Sequence, residues 1–222
     1  MFNNTTLNQY IKTHPITSLI LAINTLMLFV MLFSGGFSIE NLIRFGGIVP
    51  PLVLDQGEYY RLILAMTLHG SIFHYFMNSY VLYILGSHLE RIVGPKKYAI
   101  LYLVSGIVSS LFVVFFGERN VVTIGASGAI YGVMGGLFML TLVKKEWFQP
   151  QSIQWIRNLI IINLVITFIV PNISVLGHLG GLIAGLILFY IMTPKRPYFV
   201  EQYYKEHDII EVEAEETNSF YH

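Results

Sequence analysis

Long apolar runs, separated by short polar or glycine- and proline-rich connections, dominate the chain. Six runs are long enough to consider as membrane spans: Pro15–Phe33, Ser71–Val93, Tyr98–Phe116, Ser127–Val143, Ile156–Val170 and Val175–Met192. They predict an all-α membrane protein built as a six-transmembrane-helix bundle. The fifth run is the weakest, because only residues 159–170 are free of charge. At 1.5 Å per residue that stretch covers about 18 Å, against a hydrocarbon core of about 30 Å. Such a helix must tilt, thin the bilayer locally, or extend through Trp155 and Arg157. The first run is longer than the apolar region of a secretory leader and no small-residue cleavage site follows it, so it is expected to stay as a span. No internal repeat is visible at solenoid or transporter periods.

The connection between the first two runs, Ser34 to Gly70, is long and mixes glycine, proline and apolar residues, as in Phe45-Gly46-Gly47-Ile48-Val49-Pro50-Pro51-Leu52. A solvated loop would be more polar. This first external loop is therefore expected to be embedded in the membrane interface. The side it faces follows from the cations. Six spans put both termini on one side, which collects Lys12, Arg91, Lys96, Lys97, Lys144, Lys145, Arg157, Lys195, Arg196 and Lys205. The opposite side has Arg44, Arg61 and Arg119. Lysine and arginine accumulate on the cytoplasmic side, so both termini are predicted to be cytoplasmic in a multi-pass protein of the cell membrane.

Composition agrees with this reading. The chain is 55% hydrophobic and 12% charged, where a soluble domain carries about 25% charged residues. Net charge is zero but unevenly spread. Seven of the 13 carboxylates (Glu201, Glu206, Asp208, Glu211, Glu213, Glu215 and Glu216) lie beyond residue 200. The expected organisation is a cytoplasmic segment 1–14, a six-span domain 15–193 and an acidic cytoplasmic tail 194–222. The absence of cysteine excludes disulfides, thiolate zinc sites and cysteine nucleophiles. No cofactor, metal or nucleic-acid partner is expected; the lipid bilayer is.

Polar side chains at membrane depth are costly and are functional by default. With the predicted topology, the second, fourth and sixth spans all enter from the external side. His74 and Asn78 lie one and two turns into the second, Ser127 heads the fourth in Gly125-Ala126-Ser127-Gly128, and His178 is about one turn into the sixth. All four therefore fall at one depth, in the outer third of the bilayer. A serine hydroxyl becomes a useful nucleophile when a base takes its proton, and imidazole suits that task near neutral pH. Acyl transfer also needs donors for the oxyanion, which Asn78, His74 and the unpaired amide at the head of a helix can supply. No carboxylate lies in a span near His178, which favours a Ser127–His178 dyad. Gly128, Gly132 and Gly136 in the fourth span, and Gly177, Gly181 and Gly185 in the sixth, recur every four residues and allow the two helices to pack closely. Tyr131, four residues after Ser127, shares its face and is placed to pack on the His178 ring.

Each residue also has a plainer reading. A serine between small residues is commonly a packing site, and His178 alone, or His74 with Asn78, can serve as an interhelical hydrogen bond. His69 and His88 lie near span ends and are expected at the interface. It is the joint arrangement that points to chemistry. A non-enzymatic membrane chaperone, channel or transporter using the same polar cluster is the alternative. Zinc and aspartyl membrane proteases fit poorly, since the chain has neither His-Glu-x-x-His nor Gly-x-Gly-Asp.

With these residues in view, the sequence resembles the rhomboid intramembrane serine proteases from Ile16 to about Tyr190. The matching pieces are Tyr60-Arg61, His69, His74 with Asn78, Gly86, Glu90-Arg91, Gly94, Gly125-Ala126-Ser127-Gly128, Tyr131 and Gly177-His178 followed by Gly180-Gly181. The resemblance implies a serine endopeptidase with Ser127 as nucleophile and His178 as base. It implies His74, Asn78 and the Ser127 amide as oxyanion donors, Tyr131 as support for the base, and Arg61 and Glu90 as structural. It further implies that the substrates are single-span membrane proteins, cut near the outer membrane boundary, and that the fifth helix is a lateral gate. Tyr60 departs from the tryptophan usual in the family, which is expected to affect stability rather than chemistry.

Overall fold

The computed structural model describes residues 6–171, 173–205 and 207. Most of the predicted acidic tail, Glu206 and 208–222, lies outside the described residues. The chain is all-helical, and the β-type pairing among the described residues is a single bridge between Ile48 and Thr123.

Helix α1 (Leu7–Thr13) starts in a capping box between Thr6 and Gln9. Pro15 opens α2 (Pro15–Phe33), where its missing N–H costs nothing. The next two amides of α2 are taken by a side chain from far along the chain. Glu90, 1% exposed, accepts from Ile16 N and Thr17 N at 2.8 Å and from Thr17 Oγ1 at 2.7 Å. A buried carboxylate on unpaired amides at a positive helix end is well compensated.

The segment after α2 folds into three short helices, α3 (Ile39–Arg44), α4 (Pro50–Leu54) and α5 (Arg61–Leu64). Arg61 is buried and ties them together. Its Nη1 donates to Ile43 O at 2.6 Å and Gly47 O at 2.8 Å, and its Nε donates to Glu58 Oε2 at 2.6 Å. Ile48, Val53 and Ala65 from this segment pack against Val113 and Val114. The loop is thus a structured unit, docked on the helix that carries Val113 and Val114.

The second predicted span is a compound rod. Helix α6 (Ile72–Val81) runs into a π-helical turn, Leu82–Gly86, and on into α7 (Ser87–Val93). Gly94, at φ +81°, reverses the chain into α8 (Pro95–Phe116). Then follow α9 (Ser127–Val143), α10 (Pro150–Ile169) and α11 (Val175–Met192). Helices α2, α8, α10 and α11 are each long and apolar enough to cross a membrane, and α9 is a shorter apolar helix of 17 residues. Helix α10 is longer than the uncharged part of the fifth run. It extends to 20 residues, through Trp155 and Arg157, and Arg157 reaches Thr141 O at 3.2 Å.

Helix α9 is the centre of the bundle, with twelve of its 17 residues buried. That is why it is apolar on every side. Helix α11 touches it backbone to backbone: a methyl on Gly181 would overlap the Gly128 carbonyl, and one on Gly185 the Gly132 carbonyl. Helix α8 closes the other side through Ser105 and Ser109, which lie against Gly132 and Gly128. Helix α10 stands at the edge and buries only Ile156, Ile160 and Thr167. Around the periphery, Leu26, Phe33, Phe116, Ile162, Phe168, Ile187 and Ile191 are exposed. Apolar surface of this extent on long helices is suited to lipid rather than to water.

Candidate active site

The site begins at Gly125. Its amide donates to Ala65 O at 2.8 Å, and its φ of +122° is one that residues with a Cβ rarely adopt. A side chain here would also sit 3.0 Å from the His74 ring and 3.5 Å from Ser127 Oγ. Glycine therefore lets the chain turn sharply into α9 while His74 closes over the turn. Ser127 is the first residue of α9 and is half-buried.

Helix α6 brings two polar groups to the same place. Ser71 caps its start, accepting from His74 N at 3.0 Å. His74 Nδ1 accepts a long hydrogen bond, 3.4 Å, from Gly70 N. A neutral ring accepting there carries its hydrogen on Nε2, which with Cε1 is the part of the ring nearest Gly125. One turn further on, Asn78 is 9% exposed and its Nδ2 has no hydrogen-bond partner among the described residues. His74, Asn78 and Ser127 line one open cleft of about 1130 Å³, together with Tyr131, Thr167 and His178.

His178 stands on α11, one turn after Ser174 caps that helix by accepting from Gly177 N at 3.3 Å. Its ring stacks on Tyr131, with centroids 4.0 Å apart and planes at 16°. The imidazole is 8% exposed and borders the cleft and a smaller recess; Ser127 borders both as well. Among the described residues no hydrogen bond joins the two side chains. In resting hydrolases this contact is often long and tightens once substrate is bound.

One contact is not visible in the sequence reading, which leaves His178 without a third group. The Thr167 hydroxyl of α10 lies 2.9 Å from His178 Nδ1. Thr167 Oγ1 lies 2.9 Å and Tyr131 OH 2.7 Å from Asn163 O, and the two hydroxyls also meet each other, so two hydrogens are shared over three contacts. A signal for it exists in the chain: Asn163 and Thr167 are polar, four residues apart and on one face of the otherwise apolar stretch 159–170. Ser174, and Ser109 of α8 in the recess, are likewise additions from the structure.

The other sequence-derived residues lie elsewhere. Glu90 and Arg61 hold α2 and the loop as described, and Gly128 and Gly181 form the close contact of α9 with α11. Tyr60 is half exposed, with its hydroxyl 3.0 Å from Glu58 Oε2 and its ring under Arg61. His69, expected at the interface, is instead buried. It is 2% exposed and packs edge-on against His74 and Tyr75, because the turn before α6 folds it inward. Among the described residues no group of histidine and carboxylate side chains is arranged to hold a metal ion.

A bundle of long apolar helices, with a serine and a histidine facing one cleft in its interior, defines a class: multi-pass membrane proteins with a hydrolase-like polar centre. Residues 56–195 match the Rhomboid domain model, and the chain belongs to the rhomboid family. Rhomboid protease GluP of Bacillus subtilis (strain 168) is 36% identical over 170 residues, 76% of this chain and 33% of that protein. Putative rhomboid protease YdcA of the same organism is 30% identical over 145 residues, 65% of this chain and 73% of that protein. Inactive RHOMBOID-like protein 8 of Arabidopsis thaliana is 31% identical over 153 residues, 67% of this chain and 42% of that protein. The match thus spans a third of GluP and less than half of the plant relative.

Proposed function

We propose that this chain is an intramembrane serine endopeptidase. In this reading it is a six-span bundle, with α6–α7 and α9 crossing alongside the four longer helices. Both termini are cytoplasmic, the protein sits in the cell membrane, and residues 15–193 form the catalytic domain. The observation that carries the reading is the meeting of Ser127, His178, His74 and the unpartnered Asn78 amide at one cleft. Two bacterial relatives named as proteases support it.

In the reaction Ser127 Oγ attacks a substrate carbonyl carbon while its proton passes to His178 Nε2. The carbonyl π electrons become an oxyanion, stabilised by His74 Nε2–H, Asn78 Nδ2–H and the Ser127 amide. The tetrahedral intermediate collapses, the C–N bond breaks, and His178 gives its proton to the leaving amine. Water then attacks the acyl-serine with His178 again as base, which releases the carboxylate and restores the hydroxyl. The substrate is a single-span membrane protein, cut near its external boundary. Its scissile carbonyl must first leave its i→i−4 hydrogen bond, so segments rich in weak helix formers are the favoured targets.

The inactive plant relative gives the other reading a foothold, since the fold also occurs without activity. A serine-reactive fluorophosphonate separates the two. Purified wild-type protein is expected to be labelled at Ser127 and to cut a transmembrane substrate. Ser127→Ala and His178→Ala are expected to insert and fold but to lose cutting, because nucleophile and base act as one unit. Substantial cutting by pure Ser127→Ala would end the proposal.

A further inference from the structure

A base that takes the Ser127 proton on Nε2 has to carry its own hydrogen on Nδ1 beforehand. The other tautomer presents Nε2–H to the serine and cannot act. Many hydrolases fix this with a buried carboxylate, but α9, α10 and α11 contain no aspartate or glutamate. The structure gives Nδ1 a different partner, the Thr167 hydroxyl at 2.9 Å, buried to 2% exposure. A hydroxyl both donates and accepts, so it fixes a tautomer only if its own hydrogen is engaged elsewhere. Here it is: Asn163 O lies 2.9 Å away, one turn back on the same helix. With the Thr167 hydrogen on that carbonyl, the Tyr131 hydroxyl donates to one lone pair of Oγ1 and the other is left for Nδ1–H, while the Tyr131 ring stacks on the imidazole. A neutral hydroxyl does this without the desolvation cost of a buried carboxylate.

We propose that Thr167 is a positioning residue that holds His178 as the Nδ1–H tautomer, and that through it the readiness of the base depends on where α10 stands. The inference rests on the reading of His178 as base. Helix α10 buries only Ile156, Ile160 and Thr167, so near the site Thr167 is its buried attachment to the bundle. A shift of its C-terminal half away from α9 and α11 would break the Nδ1 contact and free the ring to change tautomer.

The test uses full-length protein in bilayer discs, labelled with ¹⁵N-histidine, with His178→Ala to assign the ring resonances. Wild type and Thr167→Ser are expected to show a protonated Nδ1 and an unprotonated Nε2 on His178. Thr167→Val, of the same shape but without the hydroxyl, is expected to move to the Nε2–H form. Fluorophosphonate labelling of Ser127 should slow about 10-fold or more in Thr167→Val and stay within about 3-fold in Thr167→Ser, at similar thermal midpoints. A wild-type His178 that carries its hydrogen on Nε2 overturns the proposal, as does a Thr167→Val protein with wild-type tautomer and labelling. Should Thr167→Val fail to fold, the tautomers of wild type and Thr167→Ser decide the matter. A wild type that resists the probe yet shows the Nδ1–H form would sink the protease reading and leave this positioning role standing.

Discussion

Asn78 separates catalytic from structural accounts at the level of one residue. A strut between helices would have its amide paired, and its loss would cost about 0.6–2 kcal/mol of stability. The Nδ2 group is buried and unpaired among the described residues, so Asn78→Ala removes no hydrogen bond from it in the resting state. An oxyanion donor has its partner only in the transition state. We therefore expect Asn78→Ala to lower turnover by about 10²–10³-fold, with little change in KM or thermal midpoint. A lowered midpoint with normal turnover per folded molecule would remove Asn78 from the oxyanion site. The meeting of Ser127, His178, His74 and Asn78 at one cleft is legible in the sequence, because polar residues stand out against apolar neighbours. Thr167 leaves only the faint signal of its spacing from Asn163, because threonine is unremarkable in a membrane helix. Its role depends on how α10 is rotated against α11, and that is fixed by packing.

Helices meet where residues are small, and the stability of those contacts can be probed directly. Gly181→Ala would drive a methyl into the Gly128 carbonyl, and backbone cannot yield as a flexible side chain does. Overpacking of this kind costs about 1–3 kcal/mol, and moving α11 from α9 also parts His178 from Ser127. The expected outcome is a lower thermal midpoint together with slower fluorophosphonate labelling. A variant of normal stability and normal labelling would show that the helix pair is more compliant than the structure implies. The loop that carries Arg61 is held by charge as well as packing. The Arg61 guanidinium, with help from the Tyr60 hydroxyl, lowers the Glu58 carboxyl from its usual 4.5. A carboxyl lowered by folding contributes stability that is fully present above its unfolded value and is lost as pH falls through its folded value. The midpoint difference between wild type and Glu58→Gln should thus be open at pH 7 and close below about pH 4.5. A gap that stays constant across that range would remove the charge from the account. The three-helix form of this loop is hidden in the sequence, because its helices are four to six residues long and carry no usable period.

On the scale of the whole molecule, the helix ranges read most clearly, since α2, α9 and α11 coincide with uninterrupted apolar runs. The second predicted span reads as one run in the sequence, yet its middle is a π turn. Such a turn takes one residue more than the α-helix it interrupts, and one residue in an α-helix is about 100° of rotation. The rod therefore works as a phase adjuster between two distant fixed points. At one end Glu90 is locked onto the amides of α2; at the other, His74 and Asn78 must face the cleft. Deleting Tyr83 would let the turn relax to α-helix and swing one end about 100° out of phase, while leaving the span just as apolar. Loss of fluorophosphonate labelling, a fall in thermal midpoint, or both, should follow, whereas Tyr83→Ala should be mild in each. Equal effects of the deletion and the exchange would mean that the rod absorbs the lost residue elsewhere. Length variation in this span is thus constrained by angle, so its ends stay in step only when residues come and go in whole turns.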